Sequence, residues 1–481
     1  MKEISLKKNF ILSTLFQVLK IVLPFITAPY VSRVLGVNNI GIYSYTSSFA
    51  MYFTLFGGLG TVSYGTREIA RVRNDEQKRS QLFWEIEILS IITTFVSILA
   101  WGIFTVLNKK YQSIYLVLTF NLLAVMFDVS WFYAGIERFQ YTVGWNSILK
   151  IASAISLFIF IKDKNDLVLY VFIMSFSIFI GNLGMWTGLP KYVHKINLKT
   201  VKLKKHFHET LIYFIPTIAS SVYNILDKTM IGVITHSAKE NGYYEQANKI
   251  LDMMKTITFV ALNSVMESRI SFLYAEEKFT EIKKRIKQSI DYVLFMGIAI
   301  LFGICGIASV FVPLFFGPGY YKTVYLLYIM SPVVVIIGVS NCLGSQYYNP
   351  SGRRKDSAKY IILGSIVNFC FNIAMIPLLK SYGASIATII AESLITFLYI
   401  KNDDHYLNFA SIIELGWKKM VAGIVMLAVM ILVNSNINSM ILSAILMIVI
   451  GSLSYIIILV ILRDSFIAEG KRMLLNILKR G

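Results

Sequence analysis

Long apolar runs separated by short polar breaks set the pattern of this chain. Runs near residues 9–31, 40–63, 82–107, 113–136, 141–161, 166–188, 209–235, 242–274, 288–316, 321–346, 357–379, 383–400, 417–434 and 439–462 are each long enough to cross a bilayer as a helix, which takes roughly 20 residues. The pattern predicts an all-α polytopic membrane protein with about 14 transmembrane helices. It excludes a β-barrel, whose strands alternate apolar and polar positions in segments of about ten residues. The connections are short, the longest being the basic stretch from Pro190 to His208. They leave no room for a soluble catalytic or nucleotide-binding domain, which argues against a pump driven by its own ATPase.

Composition agrees. The 481 residues are 56% hydrophobic and 15% charged, with a mean hydropathy of +0.64, whereas soluble domains run roughly 45–50% apolar and ~25% charged. Three cysteines, Cys305, Cys342 and Cys370, fall inside apolar runs and read as packing residues, not as disulfide or zinc partners.

The formal charge of +19, from 46 Lys+Arg against 27 Asp+Glu, raises nucleic acid as a partner until its placement is considered. Loops on the side of the N-terminus hold 32 basic residues and those on the other side hold 8. The positive-inside rule then places both termini in the cytoplasm, which requires an even number of spans. The charge is explained by topology, and no nucleic-acid partner is expected. The first apolar run follows Lys7-Lys8, exceeds the length of a signal-peptide core and lacks a small-residue cleavage site, so it reads as a retained span in a bacterial cytoplasmic membrane.

The chain also resembles itself. Gly41 and Tyr43 at the start of the second span match Gly242 and Tyr244 at the start of the eighth, both at an offset of 201. Arg67 and Arg269 close those spans, and Pro24 and Pro216 occupy similar places in the first and seventh. This suggests two six-helix lobes in parallel orientation. The expected division is an N-terminal lobe over 1–189, a basic cytoplasmic linker over 190–208, a C-terminal lobe over 209–402, and two additional helices with a basic tail over 403–481. Parallel repeats of this kind recur in secondary transporters, with the substrate site between the halves.

Charges inside spans cost at least roughly 2.5–3.5 kcal/mol at the bilayer centre and should face a bundle interior or a wet cavity. Ser13, Gln17, Lys20, Pro24 and Thr27 share one face of the first span, and Thr217, Ser221, Asn224 and Lys228 repeat the spacing in the seventh, with Asp227 beside Lys228. In the eighth span Glu245, Asn248, Lys249, Asp252 and Lys255 recur at i+3/i+4 intervals, whereas the second-span face is neutral, with Tyr43, Ser47 and Thr54. The helices paired by the repeat therefore carry the polar stripes, and a central hydrophilic cavity, cationic on balance, is expected from Gln17, Lys20, Asn224, Asp227, Lys228, Glu245, Lys249 and Asp252. Arg33 is a further candidate anion contact. The competing reading is mutual neutralisation, as between Glu245 and Lys249, or lysines reaching to an interface, which is preferred for Lys150, Lys255 and Arg269.

Asp128 and Asp291 are candidate proton relays or else capping and pairing groups, and Glu392, on one face with Ser385 and Thr388, is an ion-coupling carboxylate or a packing contact. The five histidines fall in predicted loops, where His206-Phe207-His208 reads as solvated. No phosphate loop, H-E-x-x-H metal helix or G-x-S-x-G elbow occurs, and no catalytic residue, metal or cofactor is expected.

Tyr30-Val31-Ser32-Arg33-Val34-Leu35-Gly36, Ile40-Gly41-Ile42-Tyr43-Ser44-Tyr45 and Tyr64-Gly65-Thr66-Arg67-Glu68-Ile69-Ala70 resemble the amino-terminal signature of the polysaccharide repeat-unit flippases, within the multidrug/oligosaccharidyl-lipid/polysaccharide exporter superfamily. Leu226-Asp227-Lys228-Thr229-Met230-Ile231-Gly232, Gly242-Tyr243-Tyr244, Phe316-Gly317-Pro318-Gly319-Tyr320 and Asn341-Cys342-Leu343-Gly344-Ser345-Gln346 extend the similarity to about residue 400. The resemblance implies two lobes alternating between inward and outward openings, and a polyprenyl-diphosphate-linked oligosaccharide as substrate. Its diphosphate would be held by Lys20, Lys228 and Arg33 as charge-assisted partners, its lipid tail would remain in the membrane, and a polymerase or other assembly proteins are possible partners. A lipid-linked peptidoglycan or teichoic-acid precursor flippase, a drug/cation antiporter of the same superfamily, and a membrane glycosyltransferase or polymerase stay open as alternatives.

Overall fold

Helix is the only regular secondary structure among the described residues, in accord with the all-α expectation. The computed structural model describes residues 6–470 except 198, 200 and 405; the side chains of 6–15, 21, 213, 215–217, 219–220, 222–224, 257, 260–261 and 264–265 lie outside the description.

The chain divides into two compact units, Met1–Gly232 and Val233–Gly481, with the division falling inside α8. The first contains α1 (Leu6–Gly58), α2 (Thr61–Val72), α3 (Glu76–Leu107), α4 (Gln112–Met126), α5 (Ser130–Gly135), α6 (Phe139–Phe160), α7 (Leu167–Met185) and most of α8 (Leu203–Thr235). The second contains α9 (Ala238–Lys255), α10 (Ala261–Ala275), α11 (Phe279–Phe316), α12 (Tyr321–Met330), α13 (Pro332–Leu343), α14 (Arg354–Leu379), α15 (Ser381–Lys401), α16 (Phe409–Ser435) and α17 (Met440–Ile461).

The first helix is interrupted where two predicted spans meet. Gly36 has φ 74° and ψ 167°, a region closed to residues with a Cβ, so α1 is two helices joined at a glycine. At Gly60, φ is 74° and a Cβ would stand 3.0 Å from the Phe214 nitrogen, so α8 crosses directly over this turn. α3 starts where Asp75 accepts the Lys78 backbone N–H at 3.0 Å, an N-cap. That hydrogen bond, with the Lys78 ammonium, holds the Asp75 carboxyl below the usual carboxylate range.

Among the described residues ten helices are long and apolar enough to cross a membrane, or eleven if the pair Tyr321–Met330 and Pro332–Tyr348, bent by 42°, forms one span. Phe16–Val72 is one of the ten, yet it holds two predicted spans on either side of Gly36. The other predicted spans fall on α8 and on α9–α10, which do not reach that apolarity among the described residues and which carry the polar stripes. The fourteen predicted spans are compatible with this arrangement. The eighth is not one continuous α-helix, because the π-helical stretch Thr256–Val260 joins α9 to α10; such bulges are frequent at functional sites.

Each unit has its own packed interior. In the first, Leu35, Trp101, Leu118, Leu122 and Val171 join α1, α3, α4 and α7, while Phe83, Trp131, Phe132 and Tyr133 form a second aromatic cluster around α5. In the second, Ile286, Ile290, Leu343, Tyr348 and Tyr399 pack α11, α13 and α15 together. The two last helices lie against α11 through Val310, Met426, Met430, Met447 and Tyr455, and at Gly423 a Cβ would overlap the Phe302 ring. Small residues that admit a neighbour this closely drive helix association in lipid, where no hydrophobic effect operates between helices. Outward faces are apolar, as along α3 at Phe95, Val96, Leu99, Ile103 and Val106, which suits lipid contact. Cys342 is buried as expected, but Cys370, read as a packing residue, is exposed on α14.

Candidate functional site

In the first unit Gln17 and Lys20 are exposed on the first part of α1. The Lys20 ammonium lies over the Phe16 ring at 4.6 Å, and Lys150 of α6 is close enough for the two positive charges to interact. Among the described residues no carboxylate pairs with Lys20. Lys150, expected to reach for the interface, is exposed on α6, which packs on α1. Arg33 is exposed on the same helix, but at 100° per residue it falls about 140° round the axis from Lys20, so the two do not stack on one face.

Asp227 is 5% exposed and Lys228 partly exposed on α8, both engaged with other groups. The next residue ties this turn to the second part of α1: Thr229 Oγ1 donates to Ser48 Oγ at 3.0 Å and lies 3.3 Å from the Tyr52 hydroxyl. The neutral face expected on the second span holds Tyr43, Ser47 and Thr54; Ser48, Tyr52 and Phe56 meet α8. The Asn224 side chain lies outside the described residues.

His206 departs from its predicted place in a solvated loop. It sits in the first turn of α8 at 3% exposure, with Nε2 at 2.8 Å from Glu85 Oε2 and Nδ1 at 2.7 Å from the Tyr64 hydroxyl. A carboxylate only accepts, so Nε2 carries the proton and the tyrosine can close the chain by donating to Nδ1. The Lys202 backbone N–H donates to the same carboxylate at 3.1 Å. This network fastens the start of α8 to α2 and α3. Sequence spacing could not reveal it, because the three residues are far apart in the chain. Glu87, two residues further on α3, was not singled out either; it is fully buried and among the described residues neither carboxylate oxygen has a hydrogen-bond partner.

In the second unit the predicted stripe on α9 survives as a face. Glu245 and Lys249 are partly exposed and Asp252 is exposed, whereas Tyr243, Tyr244, Ala247, Ile250 and Leu251 turn inward. Asp252 accepts from Lys255 at 3.0 Å. At the start of α9, Glu240 is a buried ion-pair partner of Lys322 at 2.6 Å and accepts from Ser381 Oγ at 2.6 Å. Beyond the π-helical stretch Asn263 donates to Asn341 at 2.6 Å and accepts from Gln346 at 3.0 Å.

Three acidic groups for which relay, coupling and structural roles were all open have the following surroundings. Asp128 accepts the Ser130 backbone N–H at 2.9 Å. Asp291 accepts from Lys419 at 2.6 Å. Glu392 is buried on one face of α15 with Ser385 and Thr388.

Taken together these features define an α-helical polytopic membrane protein whose polar groups gather on a few of its helices. The family model described as "Polysaccharide biosynthesis protein" matches residues 6–266, and the chain belongs to that family. It is 24% identical over 412 residues to a "Putative O-antigen transporter" of Escherichia coli (strain K12), spanning 83% of this chain and 96% of that protein. A protein of the same description from Shigella dysenteriae is 23% identical over 404 residues, covering 82% and 99%. Among solved structures the fold is similar to "Lipid II flippase MurJ, inward closed conformation", with a TM-score of 0.72 over 94% of this chain and 98% of that one, at 15% identity.

Proposed function

We propose that the protein is a flippase for polyprenyl-diphosphate-linked oligosaccharide repeat units, serving surface polysaccharide assembly at a bacterial cytoplasmic membrane by alternating access. Family membership and the transporter relatives support the class. The observation that carries the choice of an anionic head group is Lys20, an exposed ammonium on an apolar helix whose described charged neighbour is another lysine, Lys150. An ammonium on a helix that crosses hydrocarbon is costly without a counter-charge, and a diphosphate beside it would offset that cost while gaining charge-assisted hydrogen bonds.

In this reading Lys20 and Lys228 contact the diphosphate, Arg33, on another face of the same helix, meets the anionic head group at a different point of its path, and Gln17, Asn224, Asp227, Glu245, Lys249 and Asp252 offer hydrogen-bonding groups to sugars. The chain breaks and forms no covalent bond; it lowers the cost of moving a polar head group through hydrocarbon. The polyprenyl tail remains in lipid, and a polymerase receives the translocated unit on the far side. The test is transport in proteoliposomes with a fluorescent lipid-linked oligosaccharide. The reading expects protein-dependent loss of the label to an impermeant quencher, abolished by Lys20→Gln; protein-independent movement would contradict it.

A further inference from the structure

The last two helices help to form a pocket of a different kind. Where the basic segment 278–287 enters α11, a cavity of about 520 Å³ opens between that helix, the first turns of α16 and the residues after α17. Part of its acidic wall is engaged from within. Lys419, fully buried, holds Asp291 at 2.6 Å and Asp464 at 2.9 Å, and Glu469 accepts from Gln288. Beyond that pairing the lining holds Lys284 and Lys287 on α11, Lys418 on α16 and Arg463 beyond α17, against Glu414, Glu469 and the one aspartate charge that Lys419 leaves unbalanced, so the mouth is cationic by a small margin. Lys418 donates to the Arg463 backbone carbonyl at 3.0 Å, which sets its ammonium beside the Arg463 backbone at the mouth.

The depth of the pocket is marked by Trp417, which lines it and is 48% exposed. Ile413, Val421 and Ile424 are exposed on the same face of α16 at i−4, i+4 and i+7 from that ring. An apolar helix face that includes an exposed tryptophan beside lysines marks the headgroup level of a bilayer. Basic pockets between transmembrane helices at this depth suit anionic headgroups, and the volume lies in the range of small-molecule sites, roughly 300–1,000 Å³.

We propose that this pocket binds the phosphate of an anionic phospholipid, held by Lys287, Lys418 and Arg463, with the acyl chains along the exposed face of α16. The site is separate from the transport groups. The full-length protein would be titrated by native mass spectrometry with phosphatidylglycerol and, in parallel, with phosphatidylcholine. Phosphatidylglycerol should be retained and phosphatidylcholine lost, and each of Lys287→Gln and Arg463→Gln should weaken phosphatidylglycerol roughly fivefold. Lys110→Gln, a neutralisation outside this pocket, should change nothing. Equal retention of both lipids, or unchanged affinity in the Lys287→Gln/Arg463→Gln double variant, would overturn the proposal. So would displacement of the lipid by millimolar inorganic phosphate, which assigns the site to free phosphate. Because Lys287 is exposed on α11, its single variant keeps the test valid even where the double variant is poorly folded.

Discussion

Thr229 Oγ1 reaches Ser48 Oγ at 3.0 Å, so the α8 turn that presents Asp227 and Lys228 is fastened to the second part of α1. Lys228→Ala should abolish polysaccharide export while membrane insertion stays intact, read by surface glycan staining against membrane protein levels. Thr229→Val removes only the tether; losing one hydrogen bond costs about 1 kcal/mol, so export should fall without disappearing. Normal export by a well-inserted Lys228→Ala protein removes that lysine from the mechanism.

The Lys20 and Lys150 pair separates stability from function. Lys20→Glu places a carboxylate near a lysine, so the melting temperature of the purified protein should hold or rise. Export should be lost if Lys20 meets the substrate as proposed, because an anion would then stand where the diphosphate would bind. Retained export with the charge reversed would show that Lys20 does not meet the substrate.

The Glu85, His206 and Tyr64 network joins three helices of the first unit. His206→Ala leaves a buried carboxylate short of a partner and should destabilise by about 1–3 kcal/mol, seen as a lower melting temperature in detergent. His206→Gln, which can still donate to Glu85, should recover part of the loss. An unchanged melting temperature in the alanine variant would show that the network does not hold α8.

Lys419 has no exposed surface and two carboxylate partners. Lys419→Met strands Asp291 and Asp464, and breaking a buried pair in this way costs about 3–5 kcal/mol. The last two helices should loosen from α11, giving proteolytic cleavage between α15 and α16 that the native protein resists. Equal resistance in both proteins would assign the docking to the apolar contacts of Met426, Met430 and Tyr455 alone.

Much of the fold was legible because a lipid solvent imposes long apolar helices with few exceptions, and Gly36 falls between the first two predicted spans. The stripe on α9 was legible for the same reason, since helical periodicity alone separates Glu245 and Lys249 from Tyr244 and Ile250. Long-range pairing was not. Nothing local in His206-Phe207-His208 reveals that one imidazole meets Glu85, and nothing in Lys418-Lys419 shows that one lysine faces a pocket and the other is buried between two aspartates. Lys150 likewise gained meaning only when α6 was packed beside Lys20. Such contacts depend on which helices adjoin, and periodicity carries no information about that.

The central claim is translocation of a completed lipid-linked unit. The direct measurement is to deplete the protein in its native host and follow lipid-linked glycans by mass and by sensitivity to an impermeant oxidant. The account predicts complete single repeat units that accumulate protected on the cytoplasmic face. Truncated lipid-linked sugars, or complete units already accessible from outside, would contradict it.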